Sequence, residues 1–164
     1  MMFKSSVAAC MLCLSLSAAA QFNPDAMDWR EGEVPPAPVF DAGKLLVFDV
    51  STGSSLVYGV DPATLRIGND GVVRYVMVAT SRSGARNVLY EGMRCSSGEF
   101  KTYARYSAEG VWRPVDNPEW RSMFGNMPSR HALQFARTAA CSNSAPTSSV
   151  EEIVRRLKTP GFSP

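Results

Sequence analysis

A chain of 164 residues, 45% hydrophobic and 20% charged, has the make-up of one ordinary globular domain rather than a fibrous or disordered protein. Its formal charge of +2, with Arg155-Arg156 as the longest basic run, lacks the concentrated cationic footprint that displaces counterions from phosphates. No nucleic-acid partner is expected on that ground.

The N-terminus reads Met-Met-Phe-Lys, then an apolar stretch from Val7 to Leu16, then Ser17-Ala18-Ala19-Ala20. One positive charge, a short apolar segment and small residues at Ala18 and Ala20 form the three parts of a secretory signal peptide over residues 1–20, with cleavage expected between Ala20 and Gln21. The stretch is well short of the roughly 20 apolar residues that a membrane span needs, so no transmembrane span is expected in the mature chain. Val7-Ala8-Ala9-Cys10 has the outline of a lipobox but sits too early, and Leu12 is too bulky for the position before a lipidated Cys13. Export predicts a periplasmic location, with outer-membrane association or surface display as variants. Cys10 and Cys13 leave with the signal. Cys95 and Cys141 remain as an even pair in an oxidising compartment, which predicts one disulfide.

Residues 21–40 form a Pro-rich acidic lead-in. Pro24, Pro35, Pro36 and Pro38 forbid a helix and favour an extended path. Trp29 and Phe40 are expected to pin it to the domain. From residue 41 to 122 short runs rich in Val, Leu and Tyr alternate with turn residues, which predicts strands at 44–50, 56–60, 65–67, 72–80, 86–95 and 99–106, with 111–113 closing the sheet. Asp61-Pro62-Ala63, Asn69-Asp70-Gly71, Ser83-Gly84 and Ser96-Ser97-Gly98 supply the turns. Spacings this short specify an antiparallel meander and not βαβ crossovers. Residues 123–164 change character: 129–140 has helical composition, and Ser148-Ser149-Val150-Glu151 has capping-box spacing before an amphipathic helix that runs to Lys158. The Ser-, Pro- and Thr-rich stretch 142–149 reads as a flexible loop. The fold class is therefore α+β: an antiparallel meander of about six strands, one or two C-terminal helices packed on it, and one disulfide.

Hairpins centred on Ser83-Gly84 and on Ser97 place Glu91 opposite Val76 and Tyr103, with Lys101 and Arg105 diagonal to it on the same face. The other face then collects Val73, Tyr75, Met77, Val88, Tyr90, Phe100, Ala104 and Tyr106 as the core. The candidate surface patch is Arg74, Glu91, Lys101, Tyr103 and Arg105. Its functional reading is a ligand patch or a carboxylate tuned by cations. Its structural reading is cross-strand ion pairing worth about 0.2–1 kcal/mol per pair, and this is preferred because such pairs are common at sheet faces. Gly92 weakens a strand unless a bulge, the Trp112 indole or a ligand approaches it closely.

The single histidine, His131, falls in the predicted helix, where a lone His is more often a surface or packing residue than a catalyst. No Cys/His metal spacing, Gly-x-Ser-x-Gly elbow, His-Glu-x-x-His or phosphate-cradling loop occurs. Asn69-Asp70-Gly71 lacks the alternating ligands of a calcium loop. No catalytic residue, metal site or cofactor is expected.

The segments Val60-Asp61-Pro62-Ala63-Thr64-Leu65, Gly71-Val72-Val73-Arg74-Tyr75 and the run from Gly84 to Cys95, with Trp112 and Trp120 after them, resemble the CNP1-like family, named for a cryptic neisserial protein. The resemblance covers roughly residues 29–120, with Tyr90-Glu91-Gly92-Met93-Arg94-Cys95 as its most specific part. It implies a small exported protein of Gram-negative bacteria and carries no mechanism. The order Asp61, Gly71, Val73-Arg74, Cys95, Trp112, Cys141 is also similar to the surface-adhesin protein E family, which implies binding to host or envelope proteins. The leading expectation is a non-catalytic periplasmic or cell-envelope interaction module whose partner is an unidentified protein or envelope component. A surface-displayed adhesin and a small envelope hydrolase or transferase are the alternatives.

Overall fold

The structure, a computed structural model, describes residues 29–51 and 54–159. The expected leader and its cleavage site lie outside the described residues. Strands β1 (Leu46–Phe48), β2 (Val57–Val60), β3 (Arg66–Ile67), β4 (Val72–Thr80), β5 (Arg86–Arg94), β6 (Glu99–Tyr106), β7 (Trp112–Pro114) and β8 (Arg121–Ser122) form one antiparallel sheet. Its order is β1-β2-β4-β5-β6-β7, with β3 beside β2 on the edge of β4 and β8 beside β7 on the edge of β6. The three long strands, β4, β5 and β6, are consecutive in this order, each with a partner on both sides. Residues 72–79 of β4 are all buried because both faces of the sheet are covered.

One face carries the C-terminal segment. Helix α1 (His131–Phe135) runs on into a π-helical turn (Ala136–Ala140), and α2 (Val150–Lys158) packs beside it. Val73, Tyr75, Met77, Leu89, Met93 and Phe100 of the sheet meet Leu133, Phe135, Ala139, Ile153 and Leu157 in the larger core. Phe135 is fully enclosed, edge-on to Tyr75 at 4.7 Å. Helix α2 starts at Ser149, whose Oγ accepts from Glu152 N at 3.2 Å, so the cap sits one residue later than the spacing at Ser148 suggests. Between the helices, Cys141–Ser142 (β9) pairs with Ala145–Pro146 (β10) in a tight hairpin whose turn uses Asn143 at φ +55°. A flexible loop was expected there. Thr147 fastens the hairpin by donating to Ala139 O at 2.6 Å. Cys95 and Cys141 are joined, 46 positions apart, which ties the end of β5 to this C-terminal layer.

The other face carries the lead-in. Val34, Ala37, Phe40 and Leu45 pack on Val76, Val78, Val88, Tyr90, Tyr103 and Ala104. Trp29 Nε1 donates to Asp70 O at 2.9 Å, and Phe40 stands edge-on to Tyr106 at 5.0 Å, so both aromatic residues pin the segment as expected. Trp112 Nε1 donates to Pro38 O at 3.0 Å and holds the polyproline stretch in place. Asp61, buried in the turn after β2, accepts from Asp41 N at 2.7 Å and from Ala63 N at 2.9 Å.

The register differs from the expected one. Ser81 pairs with Ala85 around a three-residue loop with Gly84 at φ +85°, the form that follows a type I turn with a left-handed residue. Centring the hairpin on Ser83-Gly84 predicts a two-residue loop instead. The extra loop residue slides the pairing by one, so Glu91 faces Tyr75 and not Val76. Toward β6, Glu91 faces Thr102 while Tyr90 faces Ala104, which leaves Tyr103 as the additional residue of a β-bulge. The face expected as core therefore exchanges members. Glu91 joins Tyr75, Met77 and Phe100 beneath the helices, and Tyr90 joins Val76 and Val78 beneath the lead-in.

Candidate functional site

Two polar clusters occupy opposite faces of the sheet. On the helix face, alternation along β5 turns Glu91 inward with Leu89 and Met93, and its side chain is fully buried. Tyr75 Oη donates to Oε2 at 3.1 Å and Thr102 Oγ1 donates to Oε1 at 3.2 Å. His131 Nε2 lies 3.0 Å from Oε2 and 3.2 Å from Oε1. A carboxylate needs such donors once water is gone, since an unpaired buried charge is very costly. The His131 ring is stacked on Tyr58 at 6.0 Å and edge-on to Phe100 at 5.7 Å. Its Nδ1 meets Ser129 Oγ at 3.0 Å, and Ser129 Oγ meets Tyr58 Oη at 3.1 Å.

The electrostatics follow from this packing. Burial pulls the His131 pKa down, but the adjacent Glu91 carboxylate outweighs it and leaves the imidazole above its ordinary value. Burial and the same carboxylate raise Tyr75 well above the usual phenol range, which keeps its hydroxyl a donor. A proton held between Glu91 and His131 is thus enclosed by Tyr58, Tyr75, Phe100 and Thr102. The arrangement joins α1 to the middle of the sheet.

On the lead-in face the centre is Glu31. Tyr103 Oη donates to Glu31 Oε1 at 2.5 Å, Lys101 Nζ pairs with Oε2, and Arg74 Nη2 lies 3.7 Å from Oε1. Arg74 also grips Asp70 in a two-point contact at 2.6 and 3.2 Å. Burial works to raise the Asp70 carboxyl, yet the Arg74 guanidinium and the backbone donors Val72 and Gly32 hold it below its ordinary range. Tyr103 is raised by burial first and by Glu31 second. Around these charges Lys101 sits 4.7 Å from the Trp120 ring, Arg94 lies 3.8 Å over Trp29, and the two indoles meet edge-on at 5.7 Å.

Of the expected patch, the structure brings together Arg74, Lys101 and Tyr103. It places Glu91 on the opposite face and leaves Arg105 exposed beside a small cavity with Thr102, Glu119 and Arg121. The carboxylate that the three groups share is Glu31, from a segment 70 positions from Lys101. His131, expected as a surface or packing residue, is buried and bonded to Glu91. Glu31, Ser129 and Thr102 are not marked as site residues by the sequence, and Tyr75 and Asp70 appear in it only as a core residue and a turn residue. Only the turn signal at Asp70 and the neighbouring Trp29 pointed toward any of them. Among the described residues no group of three or more His, Cys, Asp or Glu side chains is placed to hold a metal ion, and no helix is long and apolar enough to cross a membrane.

Gly92 has its close neighbour. The Tyr103 ring lies over it, and a Cβ at position 92 would fall 2.8 Å from two ring carbons. This packing unites two residues of the run from Gly84 to Cys95 and of the bulge it faces.

Neither a curated protein nor a solved structure matches the chain. The profile of the CNP1-like family matches residues 24–158, so the likeness extends through the lead-in, the sheet and both C-terminal helices, well beyond residues 29–120. The chain belongs to the CNP1-like family.

Proposed function

We propose that this chain is a non-catalytic interaction module of the cell envelope, exported and working in the periplasm. One observation carries the reading. Glu91 and His131, the acid–base pair of the domain, are spent inside the core, with Glu91 fully buried and bonded to Tyr75, Thr102 and His131. A general acid or base must reach the proton it transfers, and this carboxylate has no exposed surface among the described residues. The Cys95–Cys141 bond supports an oxidising compartment. Apolar side chains that remain outside the two cores, among them Val47, Val57 and Phe124, are available for contact with a partner. The test is chemical crosslinking in intact cells followed by capture of the tagged chain from envelope extract. A discrete partner, lost when Val47 and Val57 are both changed to Lys, is the expected result. Recovery of the chain alone, or in the cytoplasmic fraction, would overturn it.

A hydrolase is the second reading, because Ser129 Oγ, His131 Nδ1, His131 Nε2 and Glu91 form a continuous hydrogen-bonded line. Against it, Ser129 Oγ also accepts from the His131 backbone N–H at 3.3 Å and meets Tyr58, a local serine-turn contact and not a free nucleophile. Labelling of Ser129 by a fluorophosphonate would favour the hydrolase. Absence of labelling with the fold intact favours the interaction module.

A further inference from the structure

Between the polyproline lead-in and the sheet lies a cavity of about 340 Å³, walled by Pro35 and Pro36 on one side and Tyr90 on the other. That is the size range of small-molecule sites. Its walls are held in place independently of any occupant. The lead-in is fixed by Gly32 N to Asp70 at 2.9 Å and by Trp112 to Pro38, and polyproline has little conformational freedom left to lose.

Two charges of opposite sign face this cavity without meeting. Glu33 and Arg66 both line it, and among the described residues neither has an ion-pair partner. Arg66 is already oriented, since its Nη1 donates to Ala63 O at 3.0 Å and to Leu65 O at 2.6 Å, which leaves the rest of the guanidinium fork unused. Two further donors are unspent. The Tyr90 hydroxyl makes no hydrogen bond among the described residues, and Arg74 Nε, on a residue only 4% exposed that also lines the cavity, is buried without a partner. A buried donor left unsatisfied costs free energy, so Arg74 Nε, with the open Tyr90 hydroxyl and Arg66 fork beside it, poises the site for an acceptor.

We propose that this cavity binds a small zwitterion of the α-amino-acid class, with the carboxylate on Arg66 and the Tyr90 hydroxyl, the ammonium on Glu33, and an apolar side chain against Pro35, Pro36 and the Tyr90 ring. A simple anion would leave Glu33 opposing it, and a simple cation would leave Arg66 opposing it. A ligand carrying both charges satisfies both.

The experiment is a titration of the disulfide-bonded, ¹⁵N-labelled chain with L-leucine, N-acetyl-L-leucine and L-leucinamide, followed through backbone amide shifts. Expected are saturable shifts at Arg66, Gly68 and Tyr90 with L-leucine at millimolar concentration or below, and binding about tenfold weaker for each blocked analogue, one lacking the ammonium and the other the carboxylate. Arg66→Gln should erase the preference for L-leucine over leucinamide, and Glu33→Gln the preference over N-acetyl-leucine. Both residues are exposed, so both variants keep the wild-type melting temperature. Shifts that do not saturate, or equal binding of all three compounds, would overturn the proposal. Neither outcome depends on whether a protein partner is captured.

Discussion

His131 Nε2 lies 3.0 Å from Glu91 Oε2 although 40 positions separate the two residues, and this contact joins α1 to the centre of β5. Had Glu91 been paired with Lys101 or Arg105 on an open face, Glu91→Gln would cost at most about 1 kcal/mol. In its buried position the amide must turn its NH₂ toward one of three groups that now donate to the carboxylate. Glu91→Gln is therefore expected to lower stability by about 2–3 kcal/mol, between the cost of one unsatisfied buried group and that of a broken buried ion pair. Urea denaturation with an unchanged m-value checks it. A loss below about 0.5 kcal/mol would place Glu91 in solvent.

The same pair sets a pH dependence. The folded-state pKa of His131 is raised above the ordinary imidazole value of 6.5, so in the window between the two values the folded chain holds more protons than the unfolded one. Stability from this pair is fully present below 6.5 and is lost as pH rises through the folded-state value. The melting temperature of wild type minus that of His131→Gln should fall as pH is raised from acidic to mildly alkaline. A difference that is flat, or that grows with pH, would contradict the charged pair.

Cys95 and Cys141 close a loop that contains β6, β7, β8 and α1, with a Cα–Cα separation of 5.7 Å. The chain-entropy account puts the stabilisation from a 46-position loop at about 4 kcal/mol, an upper bound. The double replacement by Ser should lose up to that amount, and peptide mapping without reductant should recover the two cysteine peptides linked. Full alkylation of both thiols in the native protein would refute the bond.

The sheet was legible because its signals are local. The limits of β4 and β6 coincide with the expected 72–80 and 99–106, and Gly71, Gly84 and Gly98 all adopt the positive φ that their turns demand. Register was not legible in the same way, because it depends on how many residues a turn contains. One additional residue around Gly84 moved Glu91 from the face of Val76 to the face of Tyr75. The bulge at Tyr103 then restored the expected pairing beyond it, with Leu89 facing Arg105. His131 and Glu31 were missed for a different reason. Each meets its partner only through tertiary packing of a segment that the sequence places 40 or more positions away. No periodicity within either segment reports such a contact.

Gly92 and Tyr103 offer a test of the bulge itself. Gly92 sits in β5 without a positive φ, so its backbone accepts an L side chain, and alanine would ordinarily be the better strand residue. What forbids it is the Tyr103 ring, 2.8 Å from the place a Cβ would take. The ring cannot swing aside freely, because its hydroxyl is bound to Glu31 at 2.5 Å and its face packs on Tyr90 at 5.2 Å between ring centres. Gly92→Ala alone should therefore cost about 1–3 kcal/mol, as overpacking does, and should loosen the lead-in by pulling Tyr103 off Glu31. In a Tyr103→Ala background the obstacle is gone, and the same change should be neutral or stabilising by a few tenths to about 1 kcal/mol. The sign reversal is the decisive quantity, measured as the coupling free energy of a double-mutant cycle. Equal destabilisation in both backgrounds would mean that Gly92 is required by its own backbone and not by the tyrosine above it.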